Sequence, residues 1–451
     1  MSNQEKYREE CGRIQASSKW KSETAARMRQ PHRQPRTLKW VLPGALAAVL
    51  VCALMIGPLL KSATVPAGAT ENLMEDIRPQ KQELSKSPGA DFIAAQADFS
   101  VGLFQKTAMP GKNALVSPLS AALALGMTAN GAGGETLSQF ESLLGNGMSL
   151  SELNRNFAAE QQVFKAVTGG KFLLANSIWY RNKNLTVQKP FLQNNADFFG
   201  ADAFRLDFAN PSSAEKINSW VSKNTEGNIK KIVEKINPDD MMFLLNALYL
   251  EQDWESAYNG SGSSTFHAPG GDKTVQMMHS MELYLNDDKA EGMLKPLKDP
   301  RFAFAAILPK DGTAVGDYVQ NLTGEKFLSL MRSGKKEFAS ASLPKFKFDC
   351  TMDLNSTLKS LGLSDAFNAE KADFSAMGSS PEGNLFLSGV TQKAFIQADE
   401  KGLKAGAVTA VDMAAGSSLP DHILTFDRPF VIAVINTDTN LPLFLGVVSD
   451  P

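Results

Sequence analysis

The sequence predicts an α+β fold, in which helices and strands surround large β-sheets. Two apolar runs, 171–182 and 241–254, combine branched and aromatic residues in a way that is typical of strands buried on both faces. Their periodicity alone would also allow helices. Other segments begin with capping residues and end at glycines, as helices do. This mixture, without an internal repeat, favours the α+β class.

From Gly89 onward the sequence predicts one continuous folded domain, 89–451. Its first helical segment, 117–145, begins at a cap-like Ser followed by Pro and is interrupted at 131–134, so two helices are expected. The remaining predictions are a helix in 214–233 that stops near Gly227, a helix in 353–363 capped by Asp353 or a neighbour, and two strands in 429–448 around a turn at 436–440.

The N-terminal part differs in composition from the rest of the chain. Residues 1–39 carry ten Lys or Arg against four Glu, and the 21 residues of 40–60 contain no charge. A helix needs about 20 apolar residues to cross a bilayer, and positive charge before such a stretch predicts an N-terminus inside the cell. We therefore predict a basic cytoplasmic tail (1–39), a transmembrane signal anchor (40–60) and a polar linker (61–88), partly helical around 73–83.

Two other interpretations of residues 40–60 stay open. A cleaved signal peptide would use the small residues Ala67, Gly68 and Ala69 as its cleavage site, and a buried core helix is the third interpretation. The run is longer than the 7–15 residues of a usual signal core, which favours the anchor. The expected localisation is a membrane-anchored protein whose domain lies outside the cytoplasm, in the periplasm or extracellular space. Cleavage near Ala69 would make it a secreted protein.

Composition and motifs give little support to an enzyme, a metalloprotein or a nucleic-acid-binding protein. The net charge is only −2, and the four His are scattered without the spacing of metal ligands. Only Cys350 follows residue 60, so the exported part cannot form an internal disulfide. The chain has no G-x-S-x-G pentapeptide and no phosphate-binding loop, and Cys350 fits a buried small hydrophobe better than a nucleophile. No cofactor is predicted.

A segment near the C-terminus, residues 399–422, combines two patterns. Small and apolar residues alternate from Ala405 to Val411 as they do in a strand. Residues 413–422 are small and turn-forming, as in an exposed loop. We interpret the segment as a loop in one state and a strand in another.

Eight motifs between residues 90 and 451 resemble those of the serpin family in their order and spacing. They are ALVSPLSAALALGMTANGAGGET, INSWVSKNTEGNI, LLNALYLEQDW, VQMMHS, LPKFKFDCTMDLNSTLKSLGLSDAF, ADFSAM, KAFIQADEKG and DRPFVIAVINTDTNLPLFLGVV. The resemblance implies three β-sheets, eight or nine helices and an exposed reactive loop near the C-terminus, which is the segment 399–422.

The resemblance also implies a mechanism, covalent suicide trapping. A target serine protease cleaves the loop and forms an acyl-enzyme through its own nucleophile. The severed loop then inserts as a strand into the largest sheet and distorts the protease, driven by the release of free energy from a metastable native state. The implied partner is that protease, with a cysteine protease as the alternative, and the inhibitor is expected to be a monomer. Its hinge residues are Glu400, Gly402, Leu403, Ala405, Gly406, Ala407 and Thr409.

Three positions depart from the family pattern. Leu403 stands where inhibitory members usually have Thr or Ser, so its bulk is expected to slow insertion, and Lys404 stands where Glu is usual. In the region beneath the sheet, Gln392 replaces a His, although Gln can keep the hydrogen bonds while losing any pH sensitivity. The residues implied for loop insertion are Ser117, Ser120, Asn246, Gln392 and, at the top of the sheet, Trp254.

The loop sequence suggests the class of target. Counting from Glu400 places the cleaved bond at Gly416–Ser417, with Ala415–Gly416 and Met413–Ala414 as alternatives. No Arg or Lys lies between Lys404 and Arg428, so an elastase-like or subtilisin-like target is expected rather than a trypsin-like one. A non-inhibitory binding or structural module on the cell surface is the alternative function. The lack of disulfides and the single anchor suggest a prokaryotic source.

Overall fold

The computed structural model of the protein describes residues 70–451, except residues 239, 259, 335–336 and 404–420. The predicted tail (1–39) and the apolar stretch 40–60 lie outside the described residues, as does most of the predicted reactive loop. Within the described part the chain forms three β-sheets and nine α-helices, which confirms the α+β class and the predicted numbers of sheets and helices.

The sheet that contains the start of the predicted hinge has seven strands. Its strands, in spatial order, are β1 (Glu71–Asn72), β5 (Asp202–Leu206), β3 (Gly170–Arg181), β6 (Met242–Asp253), β15 (Gly402–Leu403), β14 (Thr391–Ala398) and β12 (Phe346–Asp353). Strands β3 and β6 pair antiparallel along their whole length. These are the two runs predicted as buried strands from their apolar composition, and both predictions are confirmed.

A second sheet of nine strands packs behind the first. Its strands, in spatial order, are β16 (His422–Thr425), β11 (Phe338–Pro344), β8 (Gly271–Asn286), β9 (Ala290–Pro296), β10 (Phe302–Pro309), β17 (Phe430–Asn436), β18 (Pro442–Val448) and β2 (Ala114–Val116), and β7 (Ser261–Ala268) pairs with β8. Strands β17 and β18 are the two strands predicted around a polar turn. The third sheet joins β4 (Thr186–Val187) to β13 (Gly378–Ser379).

Nine α-helices surround the sheets in the described residues. They are α1 (Ala90–Thr107), α2 (Pro118–Ala129), α3 (Gly134–Gly145), α4 (Leu150–Glu160), α5 (Lys189–Phe199), α6 (Ser213–Asn224), α7 (Val315–Asn321), α8 (Gly324–Ser333) and α9 (Asn355–Ser360). Helices α2 and α3 are separated at the predicted glycine break. Helix α2 is almost wholly buried and contacts both β6 and β18, so it lies between the two large sheets.

Helices α6 and α9 are shorter than the segments 214–233 and 353–363 in which they were predicted, and α6 ends near Gly227 as expected. Helix α6 stops at Asn224 because the chain turns at Glu226 and Gly227, which both have positive φ angles, of 50° and 80°. The apolar sequence pattern extends beyond the helix because Ile229, Ile232 and Val233 are not helical but pack into the same apolar cluster as the side chains of α6. At α9 the carboxylate of Asp353 accepts a hydrogen bond from the backbone N–H of Asn355, as the predicted cap would.

Residues 70–88 lie along the edge of the seven-stranded sheet. Strand β1 pairs antiparallel with β5, and Leu73, Met74 and Ile77 pack partly against the core. The backbone N–H of Gln80 donates to the carboxylate of Asp197 on α5 at 2.7 Å. The helix expected around 73–83 does not form, because these residues form a turn and then extended chain that follows the domain surface. The domain boundaries at 61 and 88 stay predictions.

The predicted localisation needs a correction. Across the ranges of the chain that the structure describes, no helix has the length and apolar character needed to cross a membrane. This finding contradicts the membrane-anchored localisation, and we do not carry that prediction further. The stretch on which it was based, 40–60, lies outside the described residues.

Candidate functional site: the hinge and the opening of the seven-stranded sheet

The start of the predicted hinge is a strand of the seven-stranded sheet. The chain ascends β14, turns at 399–401 and returns as the two-residue strand β15 between β14 and β6. Leu403 is paired with Ala398 of β14 and with Gln252 of β6. Gly402 is paired with Asp253, and a side chain at Gly402 would meet the carbonyl oxygen of Gln252, so the close approach of β6 requires glycine here.

Leu403 is buried within this sheet, with only 2% of its surface exposed. It lines a cavity of about 10 Å³, which is too small to relieve the packing around it, together with Leu250, Phe395, Gln397 and three further apolar residues (Ile396, Val434 and Phe444). The sequence suggested that the bulk of Leu403 slows insertion. In the structure Leu403 already occupies a position between β6 and β14, and its side chain fills space there.

Beyond β15 the two neighbouring strands have no described strand between them. Among the described residues, β6 pairs with β3 and β15, and β14 pairs with β12 and β15, with no register that joins β6 directly to β14. Within the described part of the chain, this strand position is represented by the two residues of β15, next to strands of 12 and 8 residues.

The amino end of α2 holds β14 from below. Gln392 accepts a hydrogen bond from the backbone N–H of Ser117 and donates one to its carbonyl oxygen, each at 2.8 Å. The Ser117 hydroxyl donates to the carbonyl oxygen of Leu443 on β18 and also caps α2 by accepting from the N–H of Ser120. Because Gln392 is 92% buried, these bonds form out of contact with bulk water and fix β14 to the helix.

The same helix end also holds β6. The Ser120 hydroxyl donates to the side-chain oxygen of Asn246, and the Asn246 amide donates to Asn176 on β3 at 2.5 Å. Asn176 in turn donates to the carbonyl oxygen of Phe199 at 2.9 Å. The structure thus brings the four residues Ser117, Ser120, Asn246 and Gln392 together, with each strand tied to α2. Their role in loop insertion stays a prediction.

The top of the opening is closed by the turn before β15. The indole Nε1–H of Trp254 donates to the carbonyl oxygen of Asp399 at 2.8 Å. The backbone N–H of Trp254 donates to the carbonyl oxygen of Lys401. Glu400 pairs with Lys345 and accepts from the hydroxyl of Ser261 at 3.0 Å. Partial burial alone would raise the pKa of Glu400, but the bonds from Lys345, Ser261 and its own backbone outweigh it and lower the pKa.

A buried ion pair supports this turn from behind, and the sequence analysis missed it. Glu282 on β8 and Lys295 on β9 pair with 5% and 2% of their side chains exposed. The Lys295 ammonium lies 4.3 Å from the ring centroid of Tyr258 and 5.5 Å from that of Trp254. Burial raises the pKa of Glu282, and the Lys295 charge offsets part of that rise. No local pattern in the sequence indicated this pair, because the residues that alternate with Glu282 on β8 (Met278, Ser280 and Tyr284) are no more apolar than those of the other face.

The remaining predicted hinge and cleavage residues follow Leu403 in the chain. The hinge residues Ala405, Gly406, Ala407 and Thr409 and the candidate cleavage residues Met413, Ala415, Gly416 and Ser417 lie outside the described residues. The chain is described again from Asp421, where it enters β16 at the edge of the nine-stranded sheet. The site that the structure describes is therefore the place from which the loop departs and the place to which it returns.

Comparison with known proteins assigns the family. A sequence model described as "Serpin (serine protease inhibitor)" matches residues 94–451. An uncharacterized serpin-like protein of Thermococcus kodakarensis is 29% identical over 80% of this chain and 85% of its own. Leukocyte elastase inhibitor A of Mus musculus is 30% identical over 79% of this chain and 99% of its own.

Solved structures agree with the sequence comparison. The native state of the thermophilic serpin tengpin has a TM-score of 0.81 and 40% identity, and covers 85% of this chain and 100% of that one. The latent state of the same protein has a TM-score of 0.71, with 82% and 99% covered. The family resemblance that the sequence motifs carried is confirmed, and the chain belongs to the serpin family of serine protease inhibitors.

Proposed function

We propose that the chain inhibits serine endopeptidases by covalent suicide trapping. The observation that carries the proposal is β15, whose two described residues begin a strand between β6 and β14 that is antiparallel to both. A target protease would cleave the loop after β15 and remain bound as an acyl-enzyme while the free end of the loop extends β15 through the sheet. Completing the sheet supplies the free energy, because the new strand gains a ladder of hydrogen bonds on both sides.

The register of β15 predicts where each loop residue would lie after insertion. Gly402 and Leu403 face Asp253 and Gln252 of β6, and Leu403 faces Ala398 of β14. Continued in the same register, Thr409 would lie opposite both Asn246 and Gln392. The hydroxyl of Thr409 would then join the hydrogen-bonded residues at the start of α2, which supports their proposed role in insertion.

Alternation along the strand supports the same arrangement. Leu403 faces the core, so Ala405, Ala407, Thr409 and Val411 would face the core too, where small and branched side chains fit. Lys404 would lie on the opposite face, where the charge is tolerated. Met413 would reach Met242, the first residue of β6, so that residues 402–413 would span the whole strand, roughly 40 Å at about 3.3 Å per residue.

The strand length is consistent with the proposed cleavage site. A cut within 413–417 leaves enough chain to fill the position along β6 and little beyond it. We propose Gly416–Ser417 as the cleaved bond, with Ala415–Gly416 and Met413–Ala414 as alternatives, and an elastase-like or subtilisin-like protease as the target. The loop without Arg or Lys supports this class. So does the similarity to a protein named leukocyte elastase inhibitor A. A cysteine protease is the alternative target.

We also propose that the native chain is metastable and monomeric, and that its source is prokaryotic. Structures of the similar protein tengpin are described as native and latent states, so one related sequence supports two states. The prokaryotic source is supported by the single cysteine after residue 60.

A non-inhibitory binding or structural module is the second candidate function. It is favoured by Leu403, which stands where inhibitory members usually have Thr or Ser. The loop of such a module would not insert into the sheet after cleavage, so cleavage should leave the melting temperature unchanged. An inhibitor should gain a large increment in melting temperature after the same cleavage.

The test mixes the full chain with pancreatic elastase, subtilisin, chymotrypsin and trypsin and separates the products on denaturing gels. A band that withstands SDS at the summed mass of chain and protease is expected with elastase or subtilisin. The mass of the released C-terminal peptide fixes the cleaved bond. Cleavage of the loop by any of these proteases, with no such band from any of them, would contradict trapping and favour the second candidate.

A further inference from the structure

Three large apolar side chains are exposed together at the end of the nine-stranded sheet where the loop returns. Ile423 on β16 is 76% exposed, Phe338 on β11 is 49% exposed and Met281 on β8 is 48% exposed. These three strands are neighbours, with β16 at the edge of the sheet. Such side chains are normally buried in a folded protein, so their exposure as a group needs a reason.

Strand register places the three residues on one face. Ser340 of β11 is paired with Met281 on one side and with Ile423 on the other, so all three belong to one row across the sheet. Phe338 lies two residues from Ser340 on β11 and therefore points to the same side. The intervening residues Ala339 and Ala341 are fully buried on the opposite side. We call the surface formed by Met281, Phe338 and Ile423 the outer apolar patch.

A polar contact borders this patch on the same face of the sheet. His279 and Ser342, in the next row, are hydrogen-bonded at 2.8 Å. His422 is paired with Ala339 and lies on the opposite face, where it pairs with Glu337 at 2.7 Å and stacks on Tyr284 with 3.7 Å between ring centroids. An apolar group bordered by polar side chains on a rigid sheet is a usual composition of a protein-binding surface.

The position of the patch along the chain indicates its occupant. Ile423 lies six residues after Ser417, so the proposed cleaved bond can be at most about 20 Å from the patch, at about 3.4 Å per residue. A protease domain of ordinary size is roughly 40 Å across, so any protease bound at residues 413–417 lies within reach of the patch. The patch is thus continuous with the surface that the proposed function already assigns to the protease.

We propose that the outer apolar patch is a docking surface for the target protease, and that it receives apolar side chains beside the protease cleft, on the side that binds residues after the cleaved bond. This inference is based on the proposed function. Because the patch carries no charge, its contribution to association should depend little on ionic strength.

The test compares the variant I423T/M281T with the full wild-type chain. Threonine is a good strand residue, and both side chains are about half exposed or more, so the sheet should be retained. The matched control is M109T, because Met109 is 62% exposed in the loop between α1 and β2, away from the patch. Melting temperatures of all three proteins check the fold.

The measured quantity is the second-order rate of association with elastase and with subtilisin, together with the number of inhibitor molecules consumed per protease. We expect I423T/M281T to associate about tenfold more slowly than wild type, in low and high salt alike, with the stoichiometry unchanged. M109T should behave as wild type. A synthetic peptide of residues 404–421 lacks the patch and should be cleaved more slowly than the loop of the intact chain.

The outcomes separate this inference from the proposed function. If the loop is cleaved without trapping, the proposed function fails, but cleavage of I423T/M281T should still be about tenfold slower if the patch docks the protease. Equal rates for I423T/M281T and M109T would overturn the docking surface while leaving trapping intact. Concentration-dependent self-association of wild type that the double variant loses, with unchanged protease rates, would assign the patch to a second copy of the chain instead. A loop that neither protease cleaves would overturn both proposals.

Discussion

Replacing Leu403 by alanine tests whether the hinge starts inside the sheet. Leu403 is 2% exposed and packs between β6 and β14 against apolar side chains of both strands and of β17. The substitution removes three carbon atoms and enlarges a cavity that is already present. Buried Leu-to-Ala changes cost about 2–5 kcal/mol of unfolding free energy, whereas a solvent-exposed hinge residue would cost less than about 0.5 kcal/mol.

The assay is thermal and urea unfolding of the full chain, before and after cleavage of the loop. With about 2.1 cal/mol/K of unfolding entropy per residue over roughly 380 residues, a loss of about 3 kcal/mol lowers the melting temperature by about 4 °C. Unfolding rates in urea complement this value, because a metastable protein can unfold irreversibly. M109A serves as the control, since its side chain is exposed.

The same variant tests the influence of Leu403 on inhibition. If Leu403 is already in the sheet before cleavage, L403A destabilises the native and the inserted forms alike. The number of inhibitor molecules consumed per protease should then stay unchanged. Two results together would refute the reasoning. L403A would melt within about 1 °C of wild type, as expected for a substitution of an exposed residue, and fewer inhibitor molecules would be consumed per protease. That outcome would mean that Leu403 is outside the sheet and that its bulk obstructs insertion.

Three further predictions concern the core and the loop. Burial raises the pKa of Glu160 to about 7, above 4.5 in the unfolded chain, so stability should fall by about 3 kcal/mol as pH rises from about 4.5 to about 7 and then level off. The unfolding free energy of E160Q, measured in urea at pH 5 and pH 8, should not show this fall. An equal change in unfolding free energy between the two pH values for wild type and E160Q would contradict the prediction. Q392L should lower the unfolding free energy measured in urea by about 1–3 kcal/mol, since it leaves the buried backbone N–H of Ser117 unpaired while the carbonyl oxygen keeps its bond from Ala121. A neutral effect would show that water replaces the amide. A407E places a charge on the core-facing side of the proposed strand and should convert the inhibitor into a substrate on denaturing gels. V408E, on the opposite side, is its matched control, and identical behaviour of the two would contradict the register.

Much of the fold could be predicted because local sequence patterns indicate which residues are buried. The runs that became β3 and β6 are apolar on both faces, and both faces are covered in the structure. The break between α2 and α3 is encoded by glycines. Helix α6 ends three residues before Gly227, near which it was predicted to stop, although Ile229 and Val233 continue the apolar pattern and pack beside it without being helical. Periodicity reports which side chains are buried, and it does not report whether the backbone beneath them is a helix.

The site was predictable where it depends on single residues and unpredictable where it depends on register. Gln392 was expected to replace a His in a hydrogen-bonding role, and it bonds to both backbone groups of Ser117. The pairing of Glu282 with Lys295 depends on how β8 lies against β9, which no local pattern states. The position of Leu403 likewise required the alignment of β15 with two distant strands.

The bond between Gln392 and Ser117 has a consequence for the environments in which this protein can work. A carboxamide does not gain or lose a proton between acid and alkaline surroundings, and its partners here are main-chain groups that do not titrate either. The strength with which β14 is fastened to α2 should therefore be the same in an acidic and in a neutral medium. As far as these hydrogen bonds determine it, the lifetime of the uncleaved native form should not change with the acidity of its surroundings.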